Sequence, residues 1–255
     1  MRSEVPASGG TLRVWANRMK VIGIETSANT GSVALMISGR LACERFFTKG
    51  LRHGKELVPV IDAVLKDHGL KPEDVDLFAV SRGPGSYTGI RVGVTCAKAM
   101  AYALGKKLAG VPSLDVLAQN APASARKVYC MVDAKRKRVY FCSYHRDESG
   151  LLVRDTDCAA VPLAQALGAI EPGGFVIGDA IGLQAEAFAA RGAALAREDL
   201  WLPRASAVAA LGDRNVRTSG ADDPFTLVPI YLHRPEAEEV WERKKRQKDE
   251  DGNTT

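Results

Sequence analysis

The chain has 255 residues, 46% of them hydrophobic and 25% charged, with a formal net charge of +5. This is the balance of an ordinary soluble globular protein, long enough for one large domain or two small lobes. No run reaches the roughly 18 apolar residues of a membrane span. The five cysteines (Cys43, Cys96, Cys130, Cys142 and Cys158) never form a C-x-x-C pair, which excludes a disulfide framework or a zinc knuckle and points to buried thiols in a cytosolic protein.

Residues 1–18 are polar and lack an apolar signal core, so they read as a disordered extension ahead of a start at Met19. Val21–Ile24 is a short apolar strand that stops at the polar turn Glu25–Gly31. Ser32–Ile37 and Leu41–Phe47 follow as two more strands, joined by the Gly39-Arg40 turn. A helix spans about Gly54–His68, with Leu57, Ile61, Val64 and Leu65 on one face. Pro59 argues that its regular part starts no earlier than Glu56. Val75–Val80 is a continuous apolar strand of the kind buried in a parallel sheet, followed by a Gly-Pro-Gly turn and a long helix over Tyr87–Leu104.

After a linker around Gln119–Lys127 the pattern starts again. Val128–Val132, the corner Asp133-Ala134 and the strand Arg138–Tyr144 repeat the order strand, acidic residue, small residue, turn, strand. Two lobes of one duplicated design follow: a first lobe over 19–118, a smaller second one over 119–238, and a charged disordered tail over 239–255. The second lobe has short alanine-rich helices near 163–169 and 183–191 and a strand at Phe175–Asp179. The basic clusters Lys135–Arg138 and Arg243–Lys248 read as a solvated turn and tail, with RNA contact as the alternative.

The segment Ser81–Arg91 joins a strand to a helix, and its glycines permit backbone angles closed to other residues. Ser86 is placed to cap the helix, whose positive end is an anion site in principle. Gly83, Gly85 and Gly89 give G-x-G-x-x-x-G, one residue off the dinucleotide fingerprint, and no Gly-Lys-Ser/Thr follows for a P-loop. Gly89, Gly93, Ala97 and Ala101 recur every four residues, with Ile90 and Val94 beside them. Each helical glycine costs about 1 kcal/mol relative to alanine, so close approach of another surface is expected to offset it. Packing on the sheet and packing on a partner both satisfy the spacing. The apolar helix before it, with no obvious mate in its lobe, favours a partner, the two helices together supplying half of a four-helix interface.

Gly83–Gly93, continued by Ala97-Lys98 and Gly110–Ser113, resembles the TsaB family, small partners in making threonylcarbamoyladenosine on tRNA. The resemblance extends through Val21–Ser27, His53–Pro59, Asp133–Lys135, Val139-Tyr140 and Pro229–Leu232, covering nearly all of 20–235. It implies an α/β fold of the actin/hexokinase/Hsp70-like (ribonuclease H-like) class with duplicated lobes, the second reduced. It also implies a non-catalytic scaffold for a larger TsaD-like catalytic paralogue, with a TsaE-like ATPase in the same complex. Further implications are a homodimer when alone and tRNA met through the complex.

The implied interface comprises His53, Leu57, Ile61, Val64, Tyr87, Gly89, Ile90, Gly93, Val94, Ala97 and Ala101. Weak anion or nucleotide contacts fall to Glu25, Thr26, Ser27, Gly85 and Ser86. No cofactor and no metal of its own is expected, and ATP binding is expected to be weak or absent. The paralogue carries a Val-Asn-His-x-x-x-His metal motif where this chain has Val111-Pro112-Ser113-Leu114-Asp115-Val116-Leu117, so Ser113 and Leu117 replace the two histidines. The remaining alternatives are an actin-like ATPase or small-molecule kinase, and a metallopeptidase, for which the scattered histidines supply no H-E-x-x-H motif.

Overall fold

The computed structural model describes residues 19–47 and 53–232, His53 by its backbone alone. The expected extension over 1–18 and tail over 239–255 lie outside the described residues. The first lobe contains β1 (Lys20–Glu25), β2 (Ser32–Ile37), β3 (Arg40–Phe46), α1 (His53–Asp67), β4 (Leu77–Ser81), α2 (Tyr87–Leu104), β5 (Lys107–Val111) and α3 (Ser113–Ala118). The second contains β6 (Lys127–Asp133), β7 (Arg138–Arg146), β8 (Leu152–Arg154), β9 (Ala159–Pro162), α4 (Leu163–Gly168), β10 (Phe175–Ile177), α5 (Ile181–Ala190), β11 (Ala194–Leu195) and α6 (Ala205–Ser219).

The first sheet has the order β3-β2-β1-β4-β5, with β1–β2–β3 antiparallel and β4 and β5 parallel to β1. The second repeats it as β8-β7-β6-β10-β11, with β9 also paired to β7. An antiparallel meander followed by two parallel strands, present twice, is the duplicated ribonuclease H-like architecture that the repeated sequence pattern implies. Short strands and helices make the second copy the reduced one.

Strands β1, β2 and β4 are buried along their whole length because both faces of the first sheet are covered. Helices α1 and α2 cover one face, where Leu57, Ile61, Val64, Ile90, Val94, Ala97 and Ala101 join Ile22, Ile24, Val33 and Phe78 in one core. Helix α6 covers the other, burying Val208, Ala209 and Leu211 against Val21, Leu77 and Ala109. In exchange α3, whose Val116 stays in that core, sends Leu114, Leu117 and Ala118 into the second core. The expected division at 118/119 therefore does not follow the packing: each lobe is closed by a helix from the other half of the chain. The sequence reading missed α6 because its small residues Ala207, Ala209, Ala210 and Gly212 give little hydrophobic contrast.

The smallness of α6 is a steric requirement. A Cβ on Gly23 would fall inside the Ala205 carbonyl oxygen and lie 2.9 Å from the Ala209 nitrogen, and one on Gly212 would lie 2.5 Å from the Ala79 Cβ. First-lobe side chains also cap the helix. Ala205 N–H donates to Ser32 Oγ (2.9 Å), while Ser206 donates through N–H and hydroxyl to Glu44 Oε1 (3.1 Å) and Oε2 (2.8 Å). These bonds satisfy orphan N–H groups and set a carboxylate against the positive helix end.

The small-residue stripe of α2 also faces inward. Gly89, Gly93, Ala97 and Ala101 are buried, and a Cβ on Gly93 would collide with Thr26 Oγ1. Intramolecular packing thus offsets the two helical glycines, and the placement of this stripe on a partner surface is corrected. The partner assignment of Leu57, Ile61, Val64, Ile90 and Val94 is corrected for the same reason: α1 does have a mate, α2, over a shared core. His53 opens α1, and its side chain lies outside the described residues. Pro59 sits inside a helix that already begins at His53. Lys55, whose carbonyl loses its partner there, is exposed to water and tolerates the loss.

Gly23→Val is expected to lower stability by about 3 kcal/mol or more, because the clash is with backbone. Gly54→Ala, at a site with open space around it, should change stability by no more than about 1 kcal/mol. Urea unfolding of the two variants checks this, and similar midpoints would contradict the proposed seating of α6.

Candidate functional site: the cleft between the lobes

A cleft of about 880 Å³ lies between the lobes, within the size range of small-molecule sites. The first-lobe wall is built from Ser27–Asn29 of the β1–β2 turn and Pro84–Tyr87 of the loop before α2. The second-lobe wall carries Asp133, Lys135 and Asp179 at the ends of β6 and β10. Tyr140, Trp201 and Tyr231 add aromatic surface.

The Gly-Pro-Gly loop is a fitted piece with little freedom. The Gly83–Pro84 bond is cis, and Gly83 has a φ of 103°, open to glycine and strained for other residues. Gly83 N–H donates to Ser113 Oγ (3.0 Å), which also bonds the Ser81 hydroxyl (2.6 Å), and both serines are buried. On the other side Ser86 N–H donates to the Ser27 carbonyl (2.7 Å), while Ser86 Oγ caps α2 by accepting from Gly89 N–H (3.2 Å). The loop therefore spends the Ser86 N–H and side-chain oxygen on its own structure. This weakens the anion site read from the glycine spacing.

The contact candidates divide in two. Ser27, Gly85 and Ser86 line the cleft, whereas Glu25 and Thr26 are fully buried and do not. Glu25 Oε1 accepts from Ser27 N–H (2.5 Å), while Glu25 Oε2 and Thr26 Oγ1 have no hydrogen-bond partner among the described residues. Burial pushes the Glu25 carboxyl up, against the Ser27 hydrogen bonds that favour its charged form. A carboxyl enclosed in this way has no surface facing a ligand in the cleft.

On the opposite wall Asp133 accepts from Lys135 through both N–H and Nζ, each at 2.7 Å, so the acid at the repeat of Glu25 is already neutralised. Asp133 N–H donates to Asp179 Oδ1 (2.8 Å), and burial raises the Asp179 carboxyl. Sequence reasoning missed Asp179 as a cleft residue; its signal was the second strand-then-acid step, Phe175–Asp179. No group of three or more His, Cys, Asp or Glu side chains is arranged to hold a metal among the described residues. The described helices also include none long and apolar enough to cross a membrane.

Of the expected interface residues whose side chains are described, only Tyr87 is exposed and apolar, tilted against Tyr231 with ring centroids 4.9 Å apart. On the α1–α2 pair Val58 is 53% exposed, while Val60, Val92 and Cys96 are half-buried at the margin of the first core. The sequence offered these positions equally, but the stripe drew attention to the opposite face.

A family model described as TsaD, tRNA N6-adenosine threonylcarbamoyltransferase, matches residues 49–210. The chain is 31% identical over 237 residues to a Bacillus subtilis protein named tRNA threonylcarbamoyladenosine biosynthesis protein TsaB, covering 88% of this chain and 98% of that one. An Escherichia coli protein of the same name is 32% identical over 135 residues, 52% of this chain and 58% of its own. A crystal structure from Pseudomonas aeruginosa, described as an uncharacterized protein with similarity to peptidase YEAZ, superposes with a TM-score of 0.72 at 25% identity. It covers 84% of this chain and 100% of that one.

Because the folded Glu25 carboxyl holds its proton more tightly than the unfolded one, its stability contribution is present in full below pH 4.5 and declines as pH rises through the raised value. Glu25→Gln removes that decline. The stability of Glu25→Gln relative to the unsubstituted chain is therefore expected to increase from pH 4 towards neutrality. Urea midpoints across that range check it, and a relative stability that falls with pH would contradict it.

Proposed function

Since the chain belongs to the TsaB family, within the wider family that the TsaD model describes, we propose that it acts in tRNA threonylcarbamoyladenosine biosynthesis as a non-catalytic partner of a TsaD-like subunit. The observation that carries this reading is the chemistry at Ser113 and Leu117, where the resemblance sets the paralogue's two metal-binding histidines. Leu117 is a fully buried core residue and Ser113 is committed to Ser81 and Gly83, so neither is available to a metal. A chain that keeps the fold and the loop of its paralogue while filling the metal site with packing residues fits a scaffold.

The surface we assign to the partner is the outward face of α1 and α2 around Val58, extending to Tyr87. It contains exposed apolar side chains on two long helices whose inner faces are anchored in the first core. The same face serves self-association when the partner is absent. A TsaE-like ATPase and the tRNA join through the complex. Nucleotide affinity of the isolated chain is low on this account, because Glu25 is sealed and the loop donor at Ser86 is occupied.

An actin-like ATPase is the second reading, favoured by the cleft and its position between duplicated lobes. Calorimetric titration with magnesium–ATP separates the two: tight stoichiometric binding with turnover by the isolated chain would support the ATPase.

Val58→Asp is expected to leave the urea midpoint within about 0.5 kcal/mol of the unsubstituted value, as for an exposed site. It should weaken co-purification with the TsaD-like protein at least about tenfold, the effect of roughly 1.4 kcal/mol at an interface. Ala97→Trp should instead unfold the chain. A folded Val58→Asp that binds normally would move the interface elsewhere.

A further inference from the structure

Three of the five cysteines lie side by side on the second sheet. In the antiparallel β6–β7 ladder Cys130 is directly opposite Cys142. The β7–β9 ladder pairs Phe141 with Ala159, and the same register carried one residue further sets Cys142 opposite Cys158. Directly opposed residues in antiparallel strands have Cα atoms about 4.5–5.5 Å apart, inside the span of about 4.4–6.8 Å that a disulfide bridges. The Cys142 and Cys158 thiols are also within hydrogen-bonding reach of each other.

The three are not equivalent. Cys130 and Cys142 are fully buried, whereas Cys158 is half-buried, at the end of the turn that leads from β8 into β9. The single Cys142 S–H is shared between Cys158 and the Thr156 carbonyl (3.3 Å), which ties that turn to β7. Arg154, held on β8 by its ion pair with Asp115, is close enough to act on Cys158. The hydrogen bond from Cys142, aided by the Arg154 charge, holds the Cys158 thiol below its usual range against the effect of burial. The hydrogen bond to Cys158 and burial push Cys142 up, and burial pushes up Cys43, Cys96 and Cys130. Cys158 is thus the thiol with both access and thiolate character, the two requirements for selective oxidation.

We propose that Cys158 and Cys142 form a reversible intramolecular disulfide when the protein meets a hydroperoxide. Cys158 thiolate attacks the peroxide oxygen, so the O–O bond breaks, an alcohol or water leaves, and Cys158 becomes a sulfenic acid. Cys142 sulfur then attacks Cys158 sulfur and expels water. Two thiols are oxidised by two electrons, one peroxide is reduced, and a dithiol reverses the bond by exchange.

The experiment treats the reduced full chain with one equivalent of hydrogen peroxide, alkylates in denaturant, and maps peptides by mass spectrometry. The expected product has lost two hydrogen atoms, keeps three alkylatable thiols, links the peptides of 142 and 158, and reverts with dithiothreitol. Cys142→Ser should leave a Cys158 sulfenic acid captured by dimedone, and Cys158→Ser should abolish both link and capture. Oxidation of Cys43 or Cys96 before any 142–158 link forms would overturn the proposal. So would a Cys130–Cys142 link. The order of oxidation in the unsubstituted chain decides the matter even where a variant fails to fold.

Discussion

The close seating of α6 on β1 is the constraint on which the rest of the structure depends. The helix lies so near the sheet that Gly23 and Gly212 leave no room for a side chain, and its first turn is held by Ser32 and Glu44 of the first lobe. With α3 packed in the opposite direction, neither lobe completes its core without the other half of the chain. The cleft is the space left between two halves joined in this way. Its walls are turns at strand ends, whose positions are fixed by the sheets behind them.

Segment 220–232 continues the same logic. After α6 the chain returns along the first lobe: Asp222 bonds Gly110 N–H (2.8 Å), Lys98 Nζ reaches the Leu227 carbonyl (2.8 Å), and Ile230 N–H donates to the Arg82 carbonyl (2.7 Å). Ile230 and Tyr231 thereby become cleft residues, and Tyr231 covers Tyr87 at the head of α2. These bonds and the Tyr87–Tyr231 contact tie segment 220–232 to the Gly-Pro-Gly loop and to α2.

Much of this was legible in the sequence. The polar and apolar runs of the meander gave β1 to β3 within a residue or two, the Ser86 cap marked the start of α2, and the repeat at Asp133 revealed the duplication. The long-range pairings were not legible. A stripe of small residues states that something comes close and does not state what. For Gly93 the neighbour is Thr26, in the same lobe, and for the alanines of α6 it is Gly23, about 180 residues earlier. Glu25 lies off the cleft for a related reason: it ends the fully buried strand β1, and its carboxyl accepts from the Ser27 N–H inside the core.

The central claim is that the exchanged helices make the two lobes a single cooperative unit. Differential scanning calorimetry of the full chain tests this most directly. One transition whose calorimetric and van't Hoff enthalpies agree is the expected result. Two separable transitions, each with the enthalpy of one lobe, would show that the lobes fold independently and that α6 is a passive cover.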